Sequence, residues 1–236
     1  MGHSDGIQTL LGLQWPPIAL SFRESAPADV PHIGEKAAAG CGYWKLAAEG
    51  AVFYTEATDH YGCPVGAHTH GVDLPPDVAK ELEGLIGVMT DLQYLTLDEI
   101  PAIPRRAEPF RVAVYAPLAE APCDPDVVLL RGNARQIMLV TEAANAAGGG
   151  PESAAMGRPA CSVIPETLRS GRSATSLGCA GNRVYTGLPD DEFYFAIPGA
   201  KVDAVAEKLA VLVRANEELT RFHQARRDAA PGAAAA

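Results

Sequence analysis

Two cysteine pairs sit in matching contexts along the chain. Cys41 and Cys63 lie in GCGYWKLAAEGAVFYTEATDHYGCPVGAHTHGVDLPPD, and Cys161 and Cys179 in ACSVIPETLRSGRSATSLGCAGNRVYTGLPDDE. In each, the first Cys opens a helix-like run that ends at a glycine, Gly50 or Gly171. A short extended stretch follows. Then comes the second Cys beside Gly or Pro, and a Leu-Pro step into acidic residues. Similar segments fold alike and pack about a pseudo-twofold axis, which would bring four thiols to one place. Four thiolates suit an iron–sulfur cluster, zinc or another thiophilic metal. The chain has neither the CxxC knuckle of zinc sites nor the close cysteine run of ferredoxins. The fold would have to gather one thiol from each of four segments.

Gly62 and Gly66 flank Cys63, and Gly178 and Gly181 flank Cys179. Glycine lets backbone close on a bulky inorganic group and leaves its N–H free to bond the sulfurs, so these four are candidate cofactor-lining residues. The competing reading is that free cysteines pack as small hydrophobes. His60, His68 and His70 surround Cys63. On an extended chain His68 and His70 project to the same side, and with Cys63 they would complete a Cys-His-His site without the second half. Alternatively, His60 or His68 serves as base to a nucleophilic Cys63 thiol. Arg183, in CAGNR, is a candidate for binding an anion with its planar fork. Its competing role is an ion pair with Asp190 or Asp191. Tyr43 and Trp44 follow Cys41 and either wall a pocket or join the core. Gly132-Asn133 follows an apolar run but carries no GxGxxG or GK[ST] signature, which argues against a nucleotide site.

The elements that must position these residues come from a chain of 236 residues, long enough to bury a substantial core. Hydrophobic content of 47% with 20% charge is ordinary for a soluble globular protein. A net charge of -10 argues against a nucleic-acid partner. No apolar run approaches a membrane span, so no membrane partner is expected. The opening MGHSDGIQTLLGL lacks a basic start and a long apolar run, so the expectation is a cytoplasmic protein. There clustered cysteines bind metal or do chemistry more often than they pair as disulfides.

Ile18–Phe22, Ala51–Thr55, Phe110–Tyr115, Asp126–Leu130 and Phe193–Ile197 read as strands. The run DVVLL marks a strand buried on both faces. Helices are expected over Tyr43–Glu49, from Pro76 to about Met89, over Ala134–Ala147, and from about Lys201 to Arg226. The third would be stopped by Gly148-Gly149-Gly150. The second carries an apolar stripe of Val78, Leu82, Leu85 and Ile86, the last one of Val202, Val205, Leu209, Leu212 and Val213. The fold class is α/β or α+β, a mixed sheet with flanking helices, with two pseudo-repeated halves fused in one unit. The division is 1–100, carrying Cys41 and Cys63, then 101–226, carrying Cys161, Cys179 and the last helix. Residues 98–109, with three prolines, read as the linker, and 227–236 as a disordered tail with nothing to bury.

The motif order resembles the domain-of-unknown-function family 169, also labelled ArCR. The resemblance rests on LGLQWPPIALSF, Cys41 with its downstream glycine, CPVGAHTHGVDLP, APLAEAPCDPDVVLLRGNARQIMLV, ACSVIPETLRSG and LGCAGNRVYTGLPDDEFYFAIPG. It implies a bacterial or archaeal soluble protein with a duplicated, Cys-containing core, and it carries no activity. Cys123 lies in a segment where the resemblance does not call for Cys and is left out of the site. The leading expectation is an iron–sulfur or other thiophilic metal centre on Cys41, Cys63, Cys161 and Cys179, serving redox or cofactor-related chemistry. The alternatives are a cysteine enzyme using Cys63, and a metal-free small-anion module using Arg183. Expected partners are a small-molecule ligand or a redox partner, and a second copy of the chain if the last helix leaves apolar surface uncovered.

Overall fold

In the computed structural model, which describes residues 6–151 and 157–228, six short segments rich in β-branched and aromatic residues form one sheet. They are β1 (Ile18–Arg23), β2 (Phe53–Glu56), β3 (Val112–Pro117), β4 (Val127–Asn133), β5 (Ala174–Ser176) and β6 (Glu192–Pro198). Their order across the sheet is β2-β3-β1-β4-β6-β5. The named strands pair antiparallel, and parallel pairing among the described residues enters only at an isolated bridge between His32 and Tyr54. The order is symmetric about the β1–β4 seam. β1, β3 and β2 run outward on one side as β4, β6 and β5 do on the other. This is the pseudo-twofold pattern that the repeated cysteine segments require. β3 sits between β2 and β1, so the sheet joins residues from both sides of the expected linker.

Period-2 alternation divides the sheet residues between two cores. Ile18, Leu20, Phe22, Tyr115, Val127, Leu129 and Tyr194 point into one. Val128, Leu130, Phe195 and Ile197 point into the other. β4 is therefore apolar on both faces, as DVVLL implies.

The second core is covered by α1 (Gly6–Leu11), α5 (Ala134–Ala146) and α8 (Val202–Asp228). Asn133 starts α5: its side chain accepts from the Gln136 amide at 3.0 Å, and the Gln136 side chain accepts from the Asn133 amide at 2.9 Å. Gly132-Asn133 is thus a helix cap and not a phosphate loop. α8 buries Val202, Val205, Ala206 and Leu209 and then leaves the body, with Val211, Leu219 and Phe222 more than half exposed.

Over the first core lie α2 (Gly42–Ala48), α3 (Pro64–Thr69), α6 (Val163–Ser170) and α7 (Ala180–Thr186). α6 ends at Gly171 in the left-handed region, φ 63°. α4 (Pro76–Asp91) begins at Pro76 as the sequence implies, but its stripe does not become core. Val78 is its one buried residue, and Leu85 and Val88 are exposed. The expected linker holds a 3-10 turn, Leu97–Ala102, tied to the second half by an Arg158–Glu99 ion pair of 2.9 Å. Of the expected tail, 227–228 end α8 and 229–236 lie outside the described residues. No helix among the described residues is long and apolar enough to cross a membrane.

Candidate metal centre

All four cysteines of the repeat sit at helix starts on one face of the sheet. Cys41 caps α2, Cys63 caps α3 and Cys179 caps α7, while Cys161 lies in the 3-10 turn Ala160–Ser162 that runs into α6. The pairs correspond across the pseudo-twofold, α2 with α6 and α3 with α7. A helix start presents N–H groups without intrahelical partners, a setting that favours thiolate over thiol. Burial works against it. The Cys41 thiol is pushed up to about 11, first by burial and then by the Cys63 and Cys179 charges. Asn182 is placed beside both the Cys41 thiol and the Tyr194 hydroxyl, and offsets part of the rise at Cys41. Burial also raises Cys161, and Cys63, Cys179 and Cys41 add to the effect.

The four thiols therefore lie in one electrostatic neighbourhood, fed by both halves. The Thr69 hydroxyl ties the halves together: it lies 2.9 Å from the Gly66 carbonyl oxygen and 3.2 Å from Cys161 Sγ. Cys41 and Cys161 are buried, and Cys63 and Cys179 are partly exposed. As they stand, no three Cys, His, Asp or Glu side chains among the described residues are gathered to the spacing of a single ion. Cys123 lies apart, between β3 and β4.

The glycines behave differently from one another. At Gly66 an added Cβ would stand 3.0 Å from Cys63 Sγ and 3.7 Å from Gly40 Cα, so bare backbone there gives the sulfur its room. Gly178 has φ +77°, and a Cβ would meet Leu188 at 2.6 Å. Gly62 and Gly181 are exposed, and their nearest contacts are ordinary ones.

The histidines split. The segment 64–69 is helix, with His70 at its C-cap, so His68 and His70 point apart instead of sharing a side as an extended chain would have them. His68 is partly exposed beside Arg105, and burial and that charge lower its proton affinity. His70 is completely buried and lowered to about 4 by burial and Arg106. His60 is buried at the end of the turn Ala57–His60, with Nε2 2.9 Å from Thr55 Oγ1, and is lowered to about 3 by burial and then His70. The Cys63 amide donates to the His60 carbonyl at 3.0 Å, and among the described residues no hydrogen bond joins the Cys63 thiol to a histidine ring. Arg183 is committed to its own loop. Nη1 donates to the Pro189 carbonyl at 2.7 Å, Nη2 donates to the Leu177 carbonyl at 2.6 Å, and Asp190 is 3.5 Å away. Tyr43 and Trp44 are core, 0% and 2% exposed.

Sequence reasoning missed Asn182, Thr69 and Tyr115. Tyr115 is fully buried beside Tyr43, within reach of the Cys161 charge, and burial raises its pKa. Asn182 stands three residues past Cys179, one helical turn on, and helical spacing would have pointed to it. Nothing in the sequence marks the other two.

The fold and site define an α+β protein with an internally duplicated sheet and four cysteines at helix starts over one of its faces. The chain belongs to the DUF169 family, described as uncharacterised ArCR, which matches residues 6–208. Comparison with curated proteins and with solved structures returned no match.

Proposed function

We propose that this protein carries an iron–sulfur cluster on Cys41, Cys63, Cys161 and Cys179, with zinc or another thiophilic metal as the alternative, and works in redox or cofactor-related chemistry in the cytoplasm. The observation that carries the reading is the placing of these four thiols, one from each of four symmetry-matched helix starts, in a common electrostatic field. Raised thiol pKa values are what a metal relieves, because it binds the thiolate and neutralises the mutual repulsion. A polynuclear cluster spans more widely spread sulfurs than one ion does. When bound, it would supply one-electron transfer.

The protein's own residues supply the rest. Gly66 gives room at Cys63, Thr69 donates toward Cys161, and Asn182 donates toward Cys41. The partly exposed Cys63 and Cys179 mark the side on which a redox partner or small-molecule ligand would approach. Anaerobic purification and reconstitution, followed by iron, sulfide and zinc analysis and a visible spectrum, tests the reading. Stoichiometric iron and sulfide with a charge-transfer band are expected. A colourless protein with no stoichiometric metal would overturn it.

A further inference from the structure

A second site lies behind α3. The turn at Gly71 and the segment after Thr69 enclose a cleft of about 370 Å³ lined by Gly71, Asp73, Arg105, Arg106, Ala107 and Pro109. The cleft is built and not incidental. Gly71 has φ +79°, and a Cβ there would stand 2.6 Å from the Arg106 carbonyl oxygen, so only glycine lets the two backbones close. The Arg106 amide donates to the Thr69 carbonyl at 2.8 Å and fixes that approach.

The guanidinium of Arg106 lies 4.6 Å from the centre of the Phe22 ring and 6.0 Å from that of Phe110. Its Nη1 is buried and finds no hydrogen-bond partner, and no carboxylate lies within ion-pair distance, among the described residues. Asp73 is instead drawn to Arg105, at 3.8 Å, and Asp126 to Arg23, at 2.9 Å. The His70 ring packs edge-on to Phe22 at 6.1 Å, and His60 lies 5.7 Å from His70 and 5.6 Å from Phe110. Both ring nitrogens of His70 and Nδ1 of His60 are buried without partners. Four orphaned nitrogens thus surround one aromatic pair. Buried polar groups without partners are few in native proteins, and each calls for an occupant.

The occupant's chemistry follows from sign and donor type. Arg106 brings a positive charge that Glu108 and Asp126 offset only from beyond ion-pair distance, and it repels a metal cation. Its planar fork matches two oxygens of one acid group. Neutral imidazole brings one donor and one acceptor. We infer that the Arg106 cleft binds a small oxyanion, of the carboxylate or phosphate type, with His70 and then His60 behind it. Gly40 connects the two sites: a Cβ on it would lie 3.9 Å from both His60 Nδ1 and the Gly66 Cα beside Cys63. The oxyanion site thus abuts the cysteine cluster, yet it stands whether or not those thiols hold metal.

The test is titration of the full-length protein with sodium acetate and with sodium phosphate, against sodium chloride at matched ionic strength. Melting temperature and calorimetric heat are the readouts. An oxyanion that binds only the folded state raises the melting temperature as its concentration passes Kd. At least one of the two should do so, and chloride should not. Arg106→Gln should weaken binding at least tenfold and leave metal content per chain unchanged, which separates this site from the cysteine centre. Arg106→Lys keeps the charge and the stem packing, and should lose about tenfold because the fork is gone; it serves if the Gln variant does not fold. Arg111→Gln, on an exposed arginine paired with Glu24, should bind as the parent does. Absence of any acetate or phosphate effect beyond chloride would overturn the inference, as would parent-like binding by either Arg106 variant.

Discussion

Burial, with neighbouring thiols adding to it, sets the state of Cys41 and Cys161. Cys41, raised to about 11, is a protonated thiol at pH 7, and the thiolate is the reactive form. In metal-free protein, alkylation of Cys41 should run roughly a hundredfold slower at pH 7 than in the unfolded chain, and should accelerate about tenfold per pH unit towards pH 11. Peptide mass spectrometry after timed labelling reads this directly; rapid labelling of Cys41 at pH 7 would contradict it. The same groups shape stability in both directions. Between about pH 9 and 11 the unfolded chain loses the Cys41 proton while the folded chain keeps it, so stability falls as pH rises through that window. His60 and His70, lowered to about 3 and about 4, work at the other end. As pH falls from 6.5 the unfolded chain takes up protons that the folded chain refuses, and stability drops by up to about 1.4 kcal/mol per pH unit for each ring. Melting temperature should therefore be highest between pH 6.5 and 9. His60→Gln should flatten the acid side, and an unchanged acid slope would show that His60 is not buried neutral.

At the scale of elements, the glycines separate close approach from mere flexibility. Gly71→Ala combines a left-handed φ with a backbone clash and should cost about 1–3 kcal/mol in chemical denaturation. A cost under about 0.5 kcal/mol would mean that the turn is not the one described. Gly181 sits inside α7, where an added Cβ would meet only Tyr185 at 3.9 Å. Gly181→Ala should be neutral or stabilise by up to about 1 kcal/mol. The sequence made some elements plain and hid others. β4 was legible because a continuous apolar run between turns has few other fates, and α5 because a cap and a glycine stop bracket it. The helices α3 and α7 were not. They are six and seven residues long, too short for a helical period, and tertiary packing decides their conformation. That is why His68 and His70 could be paired in an extended reading and are parted by a helix. The stripe on α4 misled in the opposite sense, because a periodic apolar face is evidence of a helix and not of what covers it. The cysteines were singled out because their surroundings repeat. Arg106 was not, since an Arg-Arg step in a proline-rich stretch has no spacing to mark it, whereas Arg183 looked available beside Cys179 and is occupied by loop carbonyls.

At the scale of the whole molecule, the symmetric strand order matches the four cysteine-bearing helix starts in two pairs, and α8 contributes to the fold only through its first turns. Truncation after Arg214 removes no buried side chain among the described residues, so it should change stability by no more than about 0.5 kcal/mol. A fall of several degrees in melting temperature would show that the outer part of α8 is covered, for instance by a second copy. The central claim is that one centre draws on both halves. Its most direct test is metal per chain, after anaerobic reconstitution, in Cys41→Ser, Cys161→Ser, Cys179→Ser, the Cys41→Ser/Cys179→Ser pair and Cys123→Ser. Ligands of one centre act as a unit, so their losses do not add. Each of the three site variants should lose most of its metal, the double variant should be little worse than either single, and Cys123→Ser should match the parent. Partial and additive losses, or a large loss in Cys123→Ser, would contradict a shared four-cysteine centre.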